Sequence, residues 1–388
     1  MRDKRRRGVR LVILAFALLL AQANVPRILE VPNANATYVH VECVACFPAD
    51  FQPEEGGAMP LLCQLLRDSA TRTSLRRYTS RFAVRAGLDN LRISFNCALV
   101  NIEAANHALA SVLRQRQFTD DQIDAARQEL SGFGEPAYKR LLWPKLTGGA
   151  DTELLQNLTD RLCNSGSVVI CYSGAIPSGT MTPIWRRDPY GLLPPADSGL
   201  HPFQRSLESR FFAGQKIPAF ISKPASKFSP AMLVAAACLG SGKGSLAFQV
   251  LREKLGAAYT PEAGLIGNPA GFRLGVLMEG LSVEQRAALG RAAQELKEQD
   301  VARAKAMLTS SMKWGLDLFP LFTGFDHCVQ PASLEGSTFL YAYWAAKNGE
   351  IWDPNLMLKL VEGVKLAEVK IALQALLGSP SSAPRSEP

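Results

Sequence analysis

Hydrophobic positions along the chain follow two periods. From Tyr38 to Phe47 they alternate, with Val39, Val41, Cys43, Ala45 and Phe47 on one side and His40, Glu42 and Cys46 on the other. That period of two predicts a strand. Within GSGKGSLAFQVLREKLGAAY, residues 240–259, the residues Leu246, Val250, Leu251 and Leu255 recur at helical spacing and are expected to form one buried stripe. Ser245 is placed to cap this short helix, and Gly256 to stop it. The run SVVICY, residues 167–172, reads as a buried strand with Gly174 beyond it.

The pattern occurs twice. AMPLLCQLLRDS from Ala58 resembles AMLVAAACLGSG from Ala231, an offset of 231 − 58 = 173. Ser74-Leu75 matches Ser245-Leu246 at 171, Ala86-Gly87 matches Leu255-Gly256 at 169, and Asn101-Ile102-Glu103 matches Ser282-Val283-Glu284 at 181. Each copy predicts an extended segment, a long apolar helix, a short helix, two strands and two more helices. The strands are expected near Phe82–Val84 and Leu91–Val100, then near Ala257–Leu265 and Gly271–Gly280. Strands grouped between helices, without regular alternation, point to an α+β fold of two homologous domains. The second copy has no equivalent of SVVICY, so its sheet is expected to lack an edge strand. The domains are read as 24–176 and 219–378, joined by a Pro/Gly-rich linker over 177–218 and followed by a disordered tail over 379–388.

Composition adds an address. The first ten residues carry six Lys/Arg against one Asp, an apolar run covers 11–21, and Ala21-Gln22-Ala23 presents small residues for cleavage. Residues 1–23 read as a secretory signal peptide, too short in its apolar part to span a membrane well, so the protein is expected to be extracytoplasmic and periplasmic. An uncleaved anchor is the alternative. Removing the signal lowers the formal charge from +8 by +5 to +3, so the basic balance argues for no nucleic-acid partner. All 8 cysteines lie beyond the signal, where export permits disulfides without fixing their pairing.

Three stretches carry candidate chemistry. Cys43-x-x-Cys46 suggests a metal or redox pair, yet strand alternation sends the two thiols to opposite faces, and no second such pair completes a zinc site. Gly240-Ser-Gly-Lys-Gly-Ser fails the nucleotide signature at Ala237 and at Gly244 and reads as a substrate-contacting or flexible loop. Arg252 lies off the helical stripe and Tyr259 just beyond the glycine stop, so a permanent cation and a phenol face one space. They suit gripping a peptide carbonyl or an oxyanion. On residue types alone, a surface arginine and a core-edge tyrosine are the simpler reading.

The two copies, the LGSGKGS loop and above all LREKLGAAY resemble the insulinase-like zinc peptidases, the pitrilysin and mitochondrial processing peptidase group. The resemblance covers about residues 38–375. It implies two α+β domains forming half of a clamshell around a peptide. It also implies an inverted His-x-x-Glu-His motif on the first long helix, with a downstream helix glutamate as third zinc ligand. Laid on this sequence, the motif falls on Pro60-Leu61-Leu62-Cys63-Gln64, with Glu129 as the downstream carboxylate. Proline and glutamine replace the histidines and cysteine replaces the base, so the resemblance implies a degenerate motif, no metal on this chain and no catalysis of its own.

In two-subunit members one chain brings zinc and the other the arginine and tyrosine that hold substrate, positions matched here by Arg252 and Tyr259. The leading expectation is a zinc-less subunit of an exported heterodimeric peptidase, with zinc only on its partner and a peptide or unfolded polypeptide as substrate. The alternative is a pseudo-peptidase, a pseudoenzyme that binds peptides or scaffolds an envelope complex. A third reading, substitute zinc ligands at His40, Glu42 and Cys46, is the weakest, and zinc analysis of the purified chain decides it.

Overall fold

The computed structural model describes residues 26–131 except 88 and 116, and 152–163, 168–181, 219–221, 228–257, 261–268, 271–277, 282–315, 319–322 and 331–377. The signal segment, residues 182–218 of the linker, Tyr259 and the tail lie outside the described residues.

In the first unit, β1 (Arg27–Pro32) and β2 (Val39–Cys46) precede a long helix α1 (Pro53–Arg72) and a short one, α2 (Leu75–Tyr78). A hairpin of β3 (Thr79–Ala86) and β4 (Asn90–Cys97) follows. Helices α3 (Ile102–Arg114), α4 (Asp120–Ser131) and α5 (Thr152–Leu162) lead to β5 (Val168–Gly174). The sheet order is β1-β5-β2-β4-β3, antiparallel except for β1 beside β5. The alternation read in 38–47 is the alternation seen: Val39, Val41, Cys43 and Ala45 pack among the unit's own helices. α1 is fixed at its start by Glu55, whose carboxylate accepts from the Gln52 backbone at 2.5 Å and is held in turn by Arg161 of α5. Arg161 also pairs with Asp50 at 2.7 Å.

Two features differ from expectation. β1 forms an added edge strand, and the hairpin strands run over 79–86 and 90–97, with Leu99–Asn101 a turn of 3₁₀ helix. RILEVP is too short and too mixed to reveal a strand until SVVICY supplies its partner.

The second unit repeats the order with β6 (Ala219–Ile221), α6 (Pro230–Gly240), a π-helix (Phe248–Lys254) and the hairpin β7 (Glu262–Asn268) and β8 (Gly271–Leu277). Then come α7 (Val283–Gln294), α8 (Glu298–Trp314), β9 (Leu321–Phe322), α9 (Leu334–Asn348), α10 (Pro354–Gly363) and α11 (Leu366–Leu377). Its sheet order is β6-β8-β7-β9, so β6, β8 and β7 repeat β2, β4 and β3. Among the described residues no strand flanks β6 as β5 flanks β2. Instead β9 lies parallel to β7 on the opposite edge.

Helix α9 joins the units. Although it belongs to the second, it packs across β2 and β5 of the first sheet, and its Trp344 also stacks near Phe272 of β8. Val44, Val169, Cys171 and Leu29, on the first sheet's other face, therefore share one apolar core with the second unit. Both faces of the first sheet are covered.

Candidate functional site

On α1 the stretch Pro60–Gln64, where the resemblance places the motif, ends in a hydrogen-bond cluster around Gln64. Cys63 is buried among the apolar side chains of the first core, and Gln64 is 5% exposed. The Gln64 amide donates to Glu129 of α4 at 2.6 Å and to Asp68 at 3.0 Å. Its oxygen accepts from Arg67 Nη1 at 2.7 Å, while Arg67 Nη2 donates to the Val84 carbonyl of β3 at 3.2 Å. Gln64 and Glu129, 65 residues apart in sequence, are thus in contact.

These residues do not fit a zinc ion. Proline at 60 offers no side-chain donor atom, and the Gln64 amide hydrogens point at the two carboxylates on which a cation would depend. A catalytic zinc needs three protein ligands and an open position. Arg67 and Asp68 escape the motif comparison, although a charged pair ending the apolar run 58–66 is visible in the sequence.

Arg252 lies on the π-helix, half-buried, its guanidinium 4.7 Å from the Phe248 ring centroid. Ser245 does cap this turn, accepting from Phe248 N at 3.3 Å, and Gly256 takes φ +58°. Leu246, Val250 and Leu251 are buried, but Leu255 is 48% exposed. The stripe expectation fails there because Leu255 N bonds to Val250 O, five residues back, so the wider π turn carries Leu255 off the apolar face. Tyr259 lies outside the described residues, so its placement against Arg252 stays an expectation.

The glycine-rich loop is packed tightly. A Cβ at Gly240 would overlap the Ala263 carbonyl of β7, and Cβ atoms at Gly242 and Gly244 would meet Met307 and Arg303 of α8 at 2.9 and 2.6 Å. Glycine there allows close approach of backbone.

Where the units meet, β2 turns polar side chains toward α9. His40 Nε2 lies 2.8 Å from Glu42, and His40 Nδ1 lies 2.5 Å from Asn96 Oδ1. Arg92 grips Glu42 through Nε at 2.7 Å and through Nη2, and lies 4.5 Å from the Phe339 ring centroid. Fully buried Asp89 pairs with Lys347 Nζ at 2.9 Å and accepts from Tyr343 Oη at 2.9 Å and Asn90 Nδ2 at 3.0 Å. Burial, then the Asp89 charge, raises the Cys46 thiol, with Lys347 opposing. The weakest reading, metal at His40, Glu42 and Cys46, fails here. Arg92 holds Glu42 and Cys46 sits with the Asp89–Lys347 pair. Among the described residues no three His, Cys, Asp or Glu side chains are placed together to hold a metal.

Seven cysteines, at 43, 46, 63, 97, 163, 171 and 238, are free thiols; Cys328 lies outside the described residues. The Cys43 thiol is raised by burial, then by the nearby Cys163 and Glu42.

The fold is shared with several solved structures. A structure described as the peptidase M16 inactive domain from Pseudomonas fluorescens superposes with a TM-score of 0.64 at 15% identity, over 90% of this chain and 92% of that one. A protease from Helicobacter pylori gives 0.65 at 12% identity, over 90% and 94%. A chain of complex III2 from Candida albicans gives 0.58 at 15% identity, over 89% of each. No protein-family model and no curated protein matches the sequence. The chain has the α+β insulinase-like fold.

Proposed function

We propose that this chain is the non-catalytic, zinc-less subunit of an exported heterodimeric insulinase-like peptidase. It lines half of a peptide chamber and lends Arg252 and Tyr259 to a zinc-bearing partner. The observation that carries this reading is the Gln64–Glu129 contact, in which the carboxylate matched to the third ligand position accepts from an amide. The fold shared with the inactive domain from Pseudomonas fluorescens supports it, and the leader-like residues 1–23 support export.

Co-purification with a zinc-bearing insulinase-like chain from the same host tests the proposal. The pair is expected to cleave peptides, with kcat/KM falling at least about ten-fold when Arg252→Ala is introduced. Unchanged turnover in that variant refutes the assigned role. A second reading, a peptide-binding or scaffold protein of the envelope without chemistry, is favoured by the stacking of Arg252 on its own Phe248. It predicts binding without turnover in every combination, and partner-dependent cleavage excludes it.

A further inference from the structure

The end of the first unit beside α2 sets cations and apolar side chains next to one another in solvent. Leu75 is fully buried and its carbonyl accepts from Thr79 Oγ1 at 2.9 Å, so α2 is anchored at its first residue. The three residues that follow, Arg76, Arg77 and Tyr78, are exposed. Ser74 at φ 62° and Arg81 at φ 51° turn the chain sharply on either side. The register Thr79↔Cys97 then brings Tyr78 next to the residues that leave β4. There the Asn101 N–H donates to the Ala98 carbonyl at 2.9 Å, closing the 3₁₀ turn that holds Leu99 and Val100 outward. Val100 is 88% exposed, Leu99 40% and Tyr78 36%.

The charge here is largely of one sign. Between Asp68 and Asp89 the sequence holds Arg72, Arg76, Arg77, Arg81 and Arg85 and no acidic residue. Asp89 is buried against Lys347 at the far end of the hairpin. Glu335 of α9 pairs with Arg81 at 2.8 Å. Glu103, exposed in the first turn of α3, is the acid nearest to Val100 in sequence. At the repeat offset of 171, Arg76 matches Ala247, which is fully buried, so the fold itself does not call for a cation at this position.

We infer that this end of the first unit docks on an anionic lipid surface. Val100 and Leu99 enter the boundary between headgroups and acyl chains, Tyr78 lies at the level of the headgroups, and Arg76 and Arg77 meet lipid phosphates. An acidic polymer in solution would satisfy the guanidinium groups but gives nothing to an exposed valine and leucine. A bilayer surface offers anions and hydrocarbon within one side chain's reach. Each arginine brought to such a surface strengthens binding about five-fold, so the attachment is reversible. The inference uses neither the α1 cluster nor Arg252 and stands apart from the peptidase reading.

Co-sedimentation of the full chain with phosphatidylcholine vesicles, made with or without phosphatidylglycerol, tests it. Including phosphatidylglycerol is expected to strengthen binding at least about ten-fold, a gain that shrinks as salt is raised. Arg76→Gln/Arg77→Gln is expected to weaken it about 25-fold, and Val100→Ser about three-fold. Residues 1–23 are common to every variant, so hydrogen exchange on the vesicles locates the contact. Amides within 76–82 and 98–102 are expected to slow. Unchanged affinity in the double variant, or slowing confined to other segments, overturns the inference. Heparin serves as the soluble polyanion. If Arg76 and Arg77 bind heparin while Val100→Ser leaves vesicle binding untouched, the partner is an acidic polymer and the lipid assignment falls.

Discussion

The two units solve one problem, how a long helix meets the hairpin strand beside it, in opposite ways. At the repeat offset of 173, Arg67 of α1 corresponds to Gly240 of α6. Gly240 has no side chain, so α6 sits directly against the Ala263 carbonyl of β7, and β9 closes the far edge of that strand. Arg67 instead lays a guanidinium on the Val84 carbonyl of β3, whose outer edge has no paired strand among the described residues. One helix–strand contact is built as close backbone packing, the other through a side-chain hydrogen bond. Edge strands left open are normally blunted by charge, and Arg67 provides that here. Among the described residues the first unit's β3 edge is unpaired, while the matching edge of the second carries β9.

This contrast can be strained from both ends. The largest effect is expected at the joint that makes the second unit structural. Lys347→Ala strands Asp89, fully buried, without its counter-charge, and chemical denaturation is expected to show a loss of about 3–5 kcal/mol. A loss well below that range means that α9 does not weld the units. Next comes Gly240→Ala, whose methyl group would overlap the Ala263 carbonyl and is expected to cost about 1–3 kcal/mol. Arg67→Ala, at the matching position, removes only a half-buried polar seal and is expected to cost about 1 kcal/mol. Reversal of the last two ranks would show that the two contacts had been misassigned.

Much of this was legible because short-range periodicity and the tertiary fold agreed. The odd residues of 39–45 alternate and pack together, and Ser245 caps the turn it precedes. Gln64 and Glu129 were singled out only through family resemblance, since a separation of 65 residues carries no local signal of their contact. What stayed hidden depends on partners distant in sequence. His40 and Glu42 read as a polar strand face, yet both are buried, because Arg92 and Asn96 on β4 satisfy them and α9 covers them. No property of residues 334–348 says that this helix leaves its own sheet for the other one. Leu255 was misplaced because a π turn breaks the helical period, and nothing in the residue types announces it. Arg67 was passed over because the family comparison directs attention to the motif positions and ends one turn before it.

Under the proposed function, Pro60, Gln64 and Glu129 stand where the resemblance places the ligands of a metal site, with the histidines replaced. Zinc per chain after dialysis against a buffered zinc solution tests it most directly, on the native chain and on a Pro60→His/Gln64→His double variant. The account predicts far less than one zinc on the native chain and about one on the double variant, since two histidines one turn apart would join Glu129. Stoichiometric zinc on the native chain, released when Glu129→Ala is introduced, would contradict it.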